Sequence, residues 1–540
     1  MNGLMMDYQL TIPSILKRVN QVYPNKRVIS KLANEQIHEY TYRDMYKRII
    51  RLMNALKKLG IKPEDRVATF AWNSYRHLEL YFAIPSLKAI LHTLNIRLFP
   101  EQMEFIINHA EDQIIFIDKS LVDVITPLQG KIGKVRNFIV MDDGGKEPSG
   151  KLANAIDYEE LLSSSLEEEC FLQIDENTAS ALCYTSGTTG EPKGVLYSHR
   201  STYLHSFALC LAGSLAICER DNVLPVVPMF HVNAWAIPYA SPMSGANLVF
   251  PGPNMLGKSL AELMESYRVT LAAGVPTIWN LLYHHLKNNK HDLASLRAMV
   301  IGGSAVPKSL IDNFYKDFGL NIIHAWGMTE TSPLGTASIL TKEMESLTYN
   351  EQLNFKAKQG PPVAGIEIRA IDDDGKEVSW DGKSIGELEV RGPWVAKEYY
   401  KNPELKEQFA SDGWFKTGDV VCIDENGFME ITDRKKDLIK TRGEWISSVD
   451  MENYVMGLKG VLEACAIGRQ DNVKDEAPVL YVILSKDAAE TIKAKDIYTH
   501  LSNKFAHWQL PKLSDIHFVD SIPKTSVGKF DKKELRKRLK

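Results

Sequence analysis

The chain has 540 residues, which on a prior of about 100–200 residues per domain means more than one domain. Hydrophobic residues make up 44% and charged residues 24%, the balance of a globular protein with a sizeable core. A formal net charge of −4 provides no global basic field for nucleic acid. The six cysteines, at 170, 183, 210, 218, 422 and 465, form no CxxC pair. Neither a zinc knuckle nor a redox dithiol is therefore indicated, and the scatter suits reduced thiols in the cytoplasm. Residues 1–16 lack a basic segment followed by an apolar run, and no stretch approaches ~18 consecutive apolar residues. No signal peptide or transmembrane segment is expected, although loose contact with a membrane surface stays open.

In chain order, residues 41–59 predict an amphipathic helix. Thr41 can cap it, Tyr42, Met45, Tyr46, Ile49, Met53 and Leu56 recur at helical spacing, and Gly60 can stop it. Residues 67–72 predict a strand, 79–91 a buried helix, and 113–118 and 138–142 short strands. Further strands are expected at 179–184, 247–251, 298–301 and 321–324, with helical stretches between them. This alternation predicts α/β layers with parallel sheets. The texture changes near residue 362, where strands at 366–371 and 386–391, joined by acidic and glycine turns, predict a smaller β-rich unit. A charged run at 433–440 follows, then a helix, a strand at 478–484, another helix and a basic tail. The boundary is placed at about 434, giving units 1–434 and 435–540.

Five segments carry chemistry. The first, Tyr184-Thr185-Ser186-Gly187-Thr188-Thr189-Gly190-Glu191-Pro192-Lys193-Gly194, follows an apolar strand. Its glycines allow backbone N–H groups to turn toward an anion, its hydroxyls add donors, and Lys193 adds charge: a grip for a polyphosphate. The Walker spacing is absent. The second, His324-Ala325-Trp326-Gly327-Met328-Thr329-Glu330-Thr331, sets a strand-end aromatic that can stack on a base four residues before a carboxylate that can hold Mg²⁺. In the third, Trp414-Phe415-Lys416-Thr417-Gly418-Asp419, the aspartate can accept ribose hydroxyls. The fourth is the charged run from Asp433 to Lys440, followed by Gly443-Glu444-Trp445-Ile446-Ser447-Ser448, on the expected boundary where a hinge would lie. The fifth is Pro523-Lys524-Thr525-Ser526-Val527-Gly528-Lys529. Taken alone, the first also fits a flexible surface loop, and the others better fit a packed tryptophan, a turn aspartate, a solvated charge run and a solvated tail lysine.

Read in this order, the segments resemble the adenylate-forming superfamily of acyl-CoA synthetases, luciferases and peptide-synthetase adenylation domains, over roughly residues 30–535. Val227-Pro228-Met229-Phe230-His231-Val232-Asn233-Ala234-Trp235 and the 443–448 segment look most like bacterial medium- and long-chain fatty-acyl-CoA synthetases. The resemblance implies an α/β fold: a large N-terminal domain of two α/β subdomains and a β-barrel, plus a small mobile α+β C-terminal domain. It implies that Thr185 and Glu330 bind Mg²⁺, and that Ser186, Gly187, Thr188, Thr189, Gly190 and Lys193 hold phosphates. Trp326 would stack on adenine, with His324, Ala325 and Thr329 bordering the nucleotide. Asp419 would hold the ribose beside Arg434, and Lys436 would be the hinge. Lys440 and Trp445 would touch the adenylate from the small domain. Lys529 would be the catalytic lysine and His231 would sit near the substrate carboxylate. Trp235 would gate the acyl tunnel, with Val232 and Gly303 lining it. Phe530, Lys532 and Lys533 depart from the pattern of relatives, but leave Lys529 in place and receive no role.

The implied activity is ATP-dependent ligation of a medium- or long-chain fatty acid to coenzyme A through acyl-AMP, in the cytoplasm. ATP and coenzyme A are substrates and Mg²⁺ the cofactor. A homodimer and peripheral membrane contact are compatible with it. A short, branched or aryl acid is the alternative substrate. A non-catalytic nucleotide-binding protein, a peptide-synthetase domain and a luciferase-like oxygenase are the remaining readings.

Overall fold

The computed structural model describes residues 1–185, 191–304, 306–441, 444–471, 475–485, 487–525 and 530–539. Among them, two parallel-rich sheets dominate the first 340 residues. One runs in the order Ala155–Asp157, Asn137–Met141, Ile114–Asp118, Arg66–Phe70, Ile90–Thr93, Ala179–Tyr184, Gly194–Ser198, with only the last strand antiparallel. The other runs Leu334–Ala337, Ile322–Gly327, Ala298–Ile301, Leu271–Gly274, Asn222–Pro225, Asn247–Phe250, Arg27–Lys31, Ile37–Thr41, with antiparallel strands at its two edges.

Successive residues of a strand point to opposite faces, so a strand buried on both sides feeds two cores. Val67 and Val223 join one core, while their neighbours Ala68 and Leu224 join two others. The shared inner core takes residues from both sheets and from the helices Tyr42–Lys58, Tyr75–Ser86 and Ile237–Ser244. The outer faces are covered separately by helices including Pro100–Ala110 on one side and Gly257–Ser266, Pro276–Asn288 and Lys308–Phe318 on the other. The large domain is thus a five-layer α/β/α/β/α stack. A four-stranded antiparallel sheet, Glu367–Ile371, Gly386–Arg391, Phe415–Ile423 and Met429–Arg434, is the β-rich unit expected after residue 362. Isolated bridges from Gly360 to Met429 and from Thr336 to Pro362 tie it to the large sheet. The smaller C-terminal domain is α+β. A five-stranded sheet packs the helices Ser448–Met456 and Ala494–Ser502 on one face and the tail helix Lys532–Arg538 on the other.

The helix Tyr42–Lys58 forms with the expected cap, Thr41 and Asp44 making a reciprocal capping box. The buried helix expected at 79–91 is displaced: it runs Tyr75–Ser86, capped by Ser74, and Ile90–Thr93 is a strand. Every residue from Tyr75 to Ser86 is buried, so no amphipathic phase marks the helix ends.

Candidate active site

Five strands of the two parallel sheets deliver the site from their carboxyl ends, the crevice where open α/β sheets bind ligands. Ala179–Tyr184 leads into Thr185, Asn222–Pro225 into the 228–236 segment, Leu271–Gly274 into Pro276, Ala298–Ile301 into Gly302, and Ile322–Gly327 ends on Trp326. These ends line two adjoining cavities. A cavity of about 420 Å³ brings together Thr185, Lys193, His231, Val232, Trp235, Gly303, Ala325, Trp326, Thr329, Glu330, Arg434 and Lys436. A cleft of about 1190 Å³ shares Gly303, Ala325, Trp326, Arg434 and Lys436, adds His324 and Asp419, and runs between the large and small domains.

The base of the glycine-threonine loop is closed by a two-way link. Thr185 N donates to Lys193 O at 2.9 Å, and Lys193 N donates to Thr185 Oγ1 at 3.1 Å. Residues 186–190, named above as phosphate-binding, lie outside the described residues, as do Gly443 and Lys529. Glu330 is only 6% exposed, and its Oε1 accepts a hydrogen bond from the Tyr399 hydroxyl at 2.7 Å. Lys193 Nζ stands 5.0 Å from the Tyr399 ring centroid. Burial lowers Lys193 from the usual lysine range, and Glu330 opposes that shift. Burial also pushes the Tyr399 hydroxyl well up, reinforced by Glu330, so it serves Glu330 as a neutral donor.

The expected magnesium ligands fit that ion. Thr185 and Glu330 offer two hard oxygen donors, one of them anionic, on one cavity wall. Mg²⁺ takes few protein ligands and keeps waters and substrate phosphates. Among the described residues no group of three or more His, Cys, Asp or Glu side chains is arranged to hold a metal.

The wall expected to hold the nucleotide is a hydrogen-bonded set. Asp419 and Arg434 sit directly opposite each other on antiparallel strands, with Arg434 Nε 3.2 Å from Asp419 Oδ1. Trp326 Nε1 donates to Asp419 Oδ2 at 2.9 Å. The tryptophan expected only to stack on adenine therefore also fixes the Asp419 carboxylate, which keeps lone pairs on both oxygens. The indole rests on Gly335, where a Cβ would come within 2.4 Å of its ring. His324 Nδ1 pairs with Ala357 O at 2.9 Å, and burial lowers its pKa to about 4, so it borders the site as a neutral imidazole.

The apolar arm of the smaller cavity is lined by Val232, Trp235, Leu209, Leu215, Val300 and Leu334. The ring of Trp235 faces Gly302, where a Cβ would stand 3.2 Å from the ring and 2.9 Å from Ala325 O. Val232, Asn233, Ala234, Trp235 and Ala236 all have left-handed φ, between 46° and 57°. Left-handed backbone at non-glycine residues costs roughly 1–2 kcal/mol each. Asn233 braces the turn from inside, its Oδ1 accepting from Thr93 Oγ1 and Cys183 Sγ at 3.3 Å each. This strain is stored at residues that shape the apolar arm.

The structure does not bring Lys440 and Trp445 to the site. They are cross-strand neighbours on a hairpin, both exposed, with Lys440 Nζ 5.5 Å from the Trp445 ring, and neither lines either of these two cavities. Phe530 and Lys533 of the small domain line the larger cleft instead. Sequence reasoning missed Tyr399, Leu209, Leu215, Val300 and Leu334. They come from five separate segments, and no motif or spacing signals them.

A family model described as AMP-binding enzyme matches residues 16–400, and one described as AMP-binding enzyme C-terminal domain matches residues 450–529. The chain belongs to the AMP-binding enzyme family. Its relatives include a long-chain-fatty-acid–CoA ligase from Thermus thermophilus, 43% identical over 99% of this chain and 97% of that one. A medium-chain-fatty-acid–CoA ligase from Ectopseudomonas oleovorans is 40% identical over 100% and 97%. A 3-methylmercaptopropionyl-CoA ligase from Ruegeria lacuscaerulensis is 41% identical over 100% and 99%. Among solved structures, an anthranilate CoA ligase in complex with anthranoyl-AMP superposes with a TM-score of 0.86 at 24% identity, covering 100% of this chain and 99% of that one. In this AMP-binding enzyme the two family models meet the chain on either side of the 434–440 segment, where the antiparallel sheet gives way to the C-terminal strands.

Proposed function

We propose that the protein is a fatty-acid–CoA ligase that activates a medium- or long-chain acid as acyl-AMP and transfers the acyl group to coenzyme A. One observation carries this reading: an apolar arm walled by Trp235, Val232, Leu209 and Leu215 opens into the same cavity as Thr185, Lys193 and Glu330, beside the Trp326–Asp419–Arg434 wall. A carboxylate on an apolar tail and the α-phosphate of ATP can meet only where such an arm and such a wall join. The full-length identity to fatty-acid–CoA ligases supports the same chemistry.

In the first step a carboxylate oxygen attacks the α-phosphorus, the bond to the bridging oxygen breaks, and pyrophosphate leaves with the electron pair. Two anions approach, so the protein must supply positive charge. Lys193 stands on the cavity wall to do so. Lys529 is proposed to add a second cation. Mg²⁺ held by Thr185 and Glu330 would supply charge neutralisation on the phosphates. Asp419, fixed by Trp326 and Arg434, orients the ribose, and His324 stays neutral at the wall. In the second step the coenzyme A thiol attacks the acyl carbonyl, loses its proton, and AMP leaves. No protein nucleophile is required.

We place the domain boundary at 434/435 with Lys436 as the hinge. Lys440 and Trp445, outside the cavities in this arrangement, are proposed to reach the adenylate after the small domain turns. The six cysteines are unpaired, which supports a cytoplasmic setting. A homodimer and peripheral membrane contact remain part of the proposal, compatible with the absence, among the described residues, of a helix long and apolar enough to cross a membrane.

The test is thioester formation with ATP and coenzyme A across straight-chain acids from acetate to palmitate, 3-methylmercaptopropionate, and branched and aromatic acids. Turnover should rise from acetate to octanoate or beyond. Preference for acetate, benzoate or the short thioether acid would overturn the substrate assignment.

A further inference from the structure

The tail helix Lys532–Arg538 begins three residues after Lys529, and its first lysine departs from the pattern of relatives without an evident role. The structure buries it. Lys532 Nζ lies 2.8 Å from Glu452 Oε1 and donates to Ser448 Oγ. Ser448 in turn donates to Asp433 Oδ2 from both its backbone N and its Oγ, each at 2.6 Å. Glu452 Oε1 also accepts from Ala466 N at 2.9 Å. Asp433 is 1% exposed, although it opens a run of charges that reads as a solvated face.

These residues come from three elements on two sides of the proposed hinge. Asp433 belongs to the strand Met429–Arg434, paired with the strand that carries Asp419. Ser448 and Glu452 lie on the helix Ser448–Met456, and Lys532 on the tail helix. Within the small domain the tail helix is also held to the proposed hinge: Arg536 pairs with Asp437 at 2.8 Å and donates to Lys436 O at 3.4 Å. The cluster is one residue from the nucleotide wall, because Arg434, next to Asp433, holds Asp419.

Burial pushes both Asp433 and Glu452 up from the usual carboxylate range. Burial works against the Lys532 cation, but Glu452 and then Asp433 more than offset it and hold Lys532 above an ordinary lysine. A buried ionic cluster of this kind adds little net stability compared with a well-packed apolar one. What it does is penalise any arrangement in which one member loses its partners. Turning the small domain about Lys436 would part Asp433 from Ser448 and carry Lys532 away from the Asp433 carboxylate.

We propose that Lys532 is a positioning residue for the first half-reaction: the Asp433–Ser448–Lys532–Glu452 cluster latches the small domain in the orientation that puts Phe530 on the wall of the cleft, and it opens before coenzyme A reacts. This rests on the two-step reading above.

Each half-reaction is measured alone, using the acid most active in thioester formation. Pyrophosphate–ATP exchange reports the first step, and thioester formation from supplied acyl-AMP the second. The proteins are wild type, Lys532→Met, Lys532→Arg and Lys532→Met combined with Glu452→Gln, each with a melting curve. Since displacement of a catalytic group by about 1 Å can cost on the order of 100-fold, Lys532→Met should lower exchange about 10- to 100-fold and leave the second step within about threefold. Lys532→Arg should restore most of the exchange. The double variant, which removes an orphaned buried charge, should recover the melting temperature but not the exchange. Equal exchange in wild type and Lys532→Met would overturn the latch. So would parallel loss of both steps, or exchange that returns with the melting temperature. Absence of exchange in wild type with every acid would overturn the two-step reading itself.

Discussion

Glu330 carries a carboxylate into a cavity that must also accept a polyphosphate, an arrangement that needs a cation between them. The Tyr399 hydroxyl donates to its Oε1 at 2.7 Å, and the carboxylate has a second oxygen to offer a metal. Glu330→Gln keeps the size and removes the charge. It should raise the Mg²⁺ concentration needed for half-maximal activity and lower the adenylation rate by about 10²–10³, the usual cost of losing one preorganised charge-stabilising group. A magnesium titration checks this, and an unchanged midpoint would remove Glu330 from the metal site. His324 makes a separate prediction. Its pKa falls from 6.5 unfolded to about 4 folded because burial disfavours the cation. Between those values the unfolded chain binds the extra proton, so His324 costs stability as pH falls through 6.5, at most about 1.4 kcal/mol per pH unit, down to about pH 4. Denaturant unfolding from pH 7 to pH 5 should therefore show a shallower loss for His324→Gln than for wild type. Equal slopes would mean His324 titrates normally.

Elements were legible where local chemistry was unambiguous. The helix Tyr42–Lys58 announces itself through Thr41, Gly60 and a clear apolar phase. The strands Ala298–Ile301 and Gly386–Arg391 form at the expected residues. The helix Tyr75–Ser86 was misphased because a helix buried on all sides has no periodicity to read. The edge hairpin Arg27–Lys31 with Ile37–Thr41 carries too many polar residues to stand out as strands. The site divides along the same line. Thr185, Trp326, Glu330 and Asp419 lie in contiguous motifs, and the structure brings them to two adjoining cavities. Tyr399 and Leu215 reach the smaller cavity from isolated segments, and the left-handed turn at 232–236 is built from residues with no preference for that backbone. Lys532 is the sharpest case: a charge next to other charges reads as solvated, yet here it is one member of a buried cluster.

At the scale of the whole molecule, the five-layer stack turns the carboxyl ends of two parallel sheets toward one crevice, and the C-terminal domain supplies the crevice's remaining wall. In the proposed mechanism that division separates binding, done by the sheets, from the charge that arrives for one step and withdraws for the next. The central claim is that a covalent acyl-AMP forms before coenzyme A takes part. Exchange of labelled pyrophosphate into ATP, measured without coenzyme A, tests it directly. The account predicts exchange that depends on Mg²⁺ and on a medium- or long-chain fatty acid, and that disappears in Lys529→Ala. Exchange that is independent of acid, or that appears only when coenzyme A is added, would contradict it.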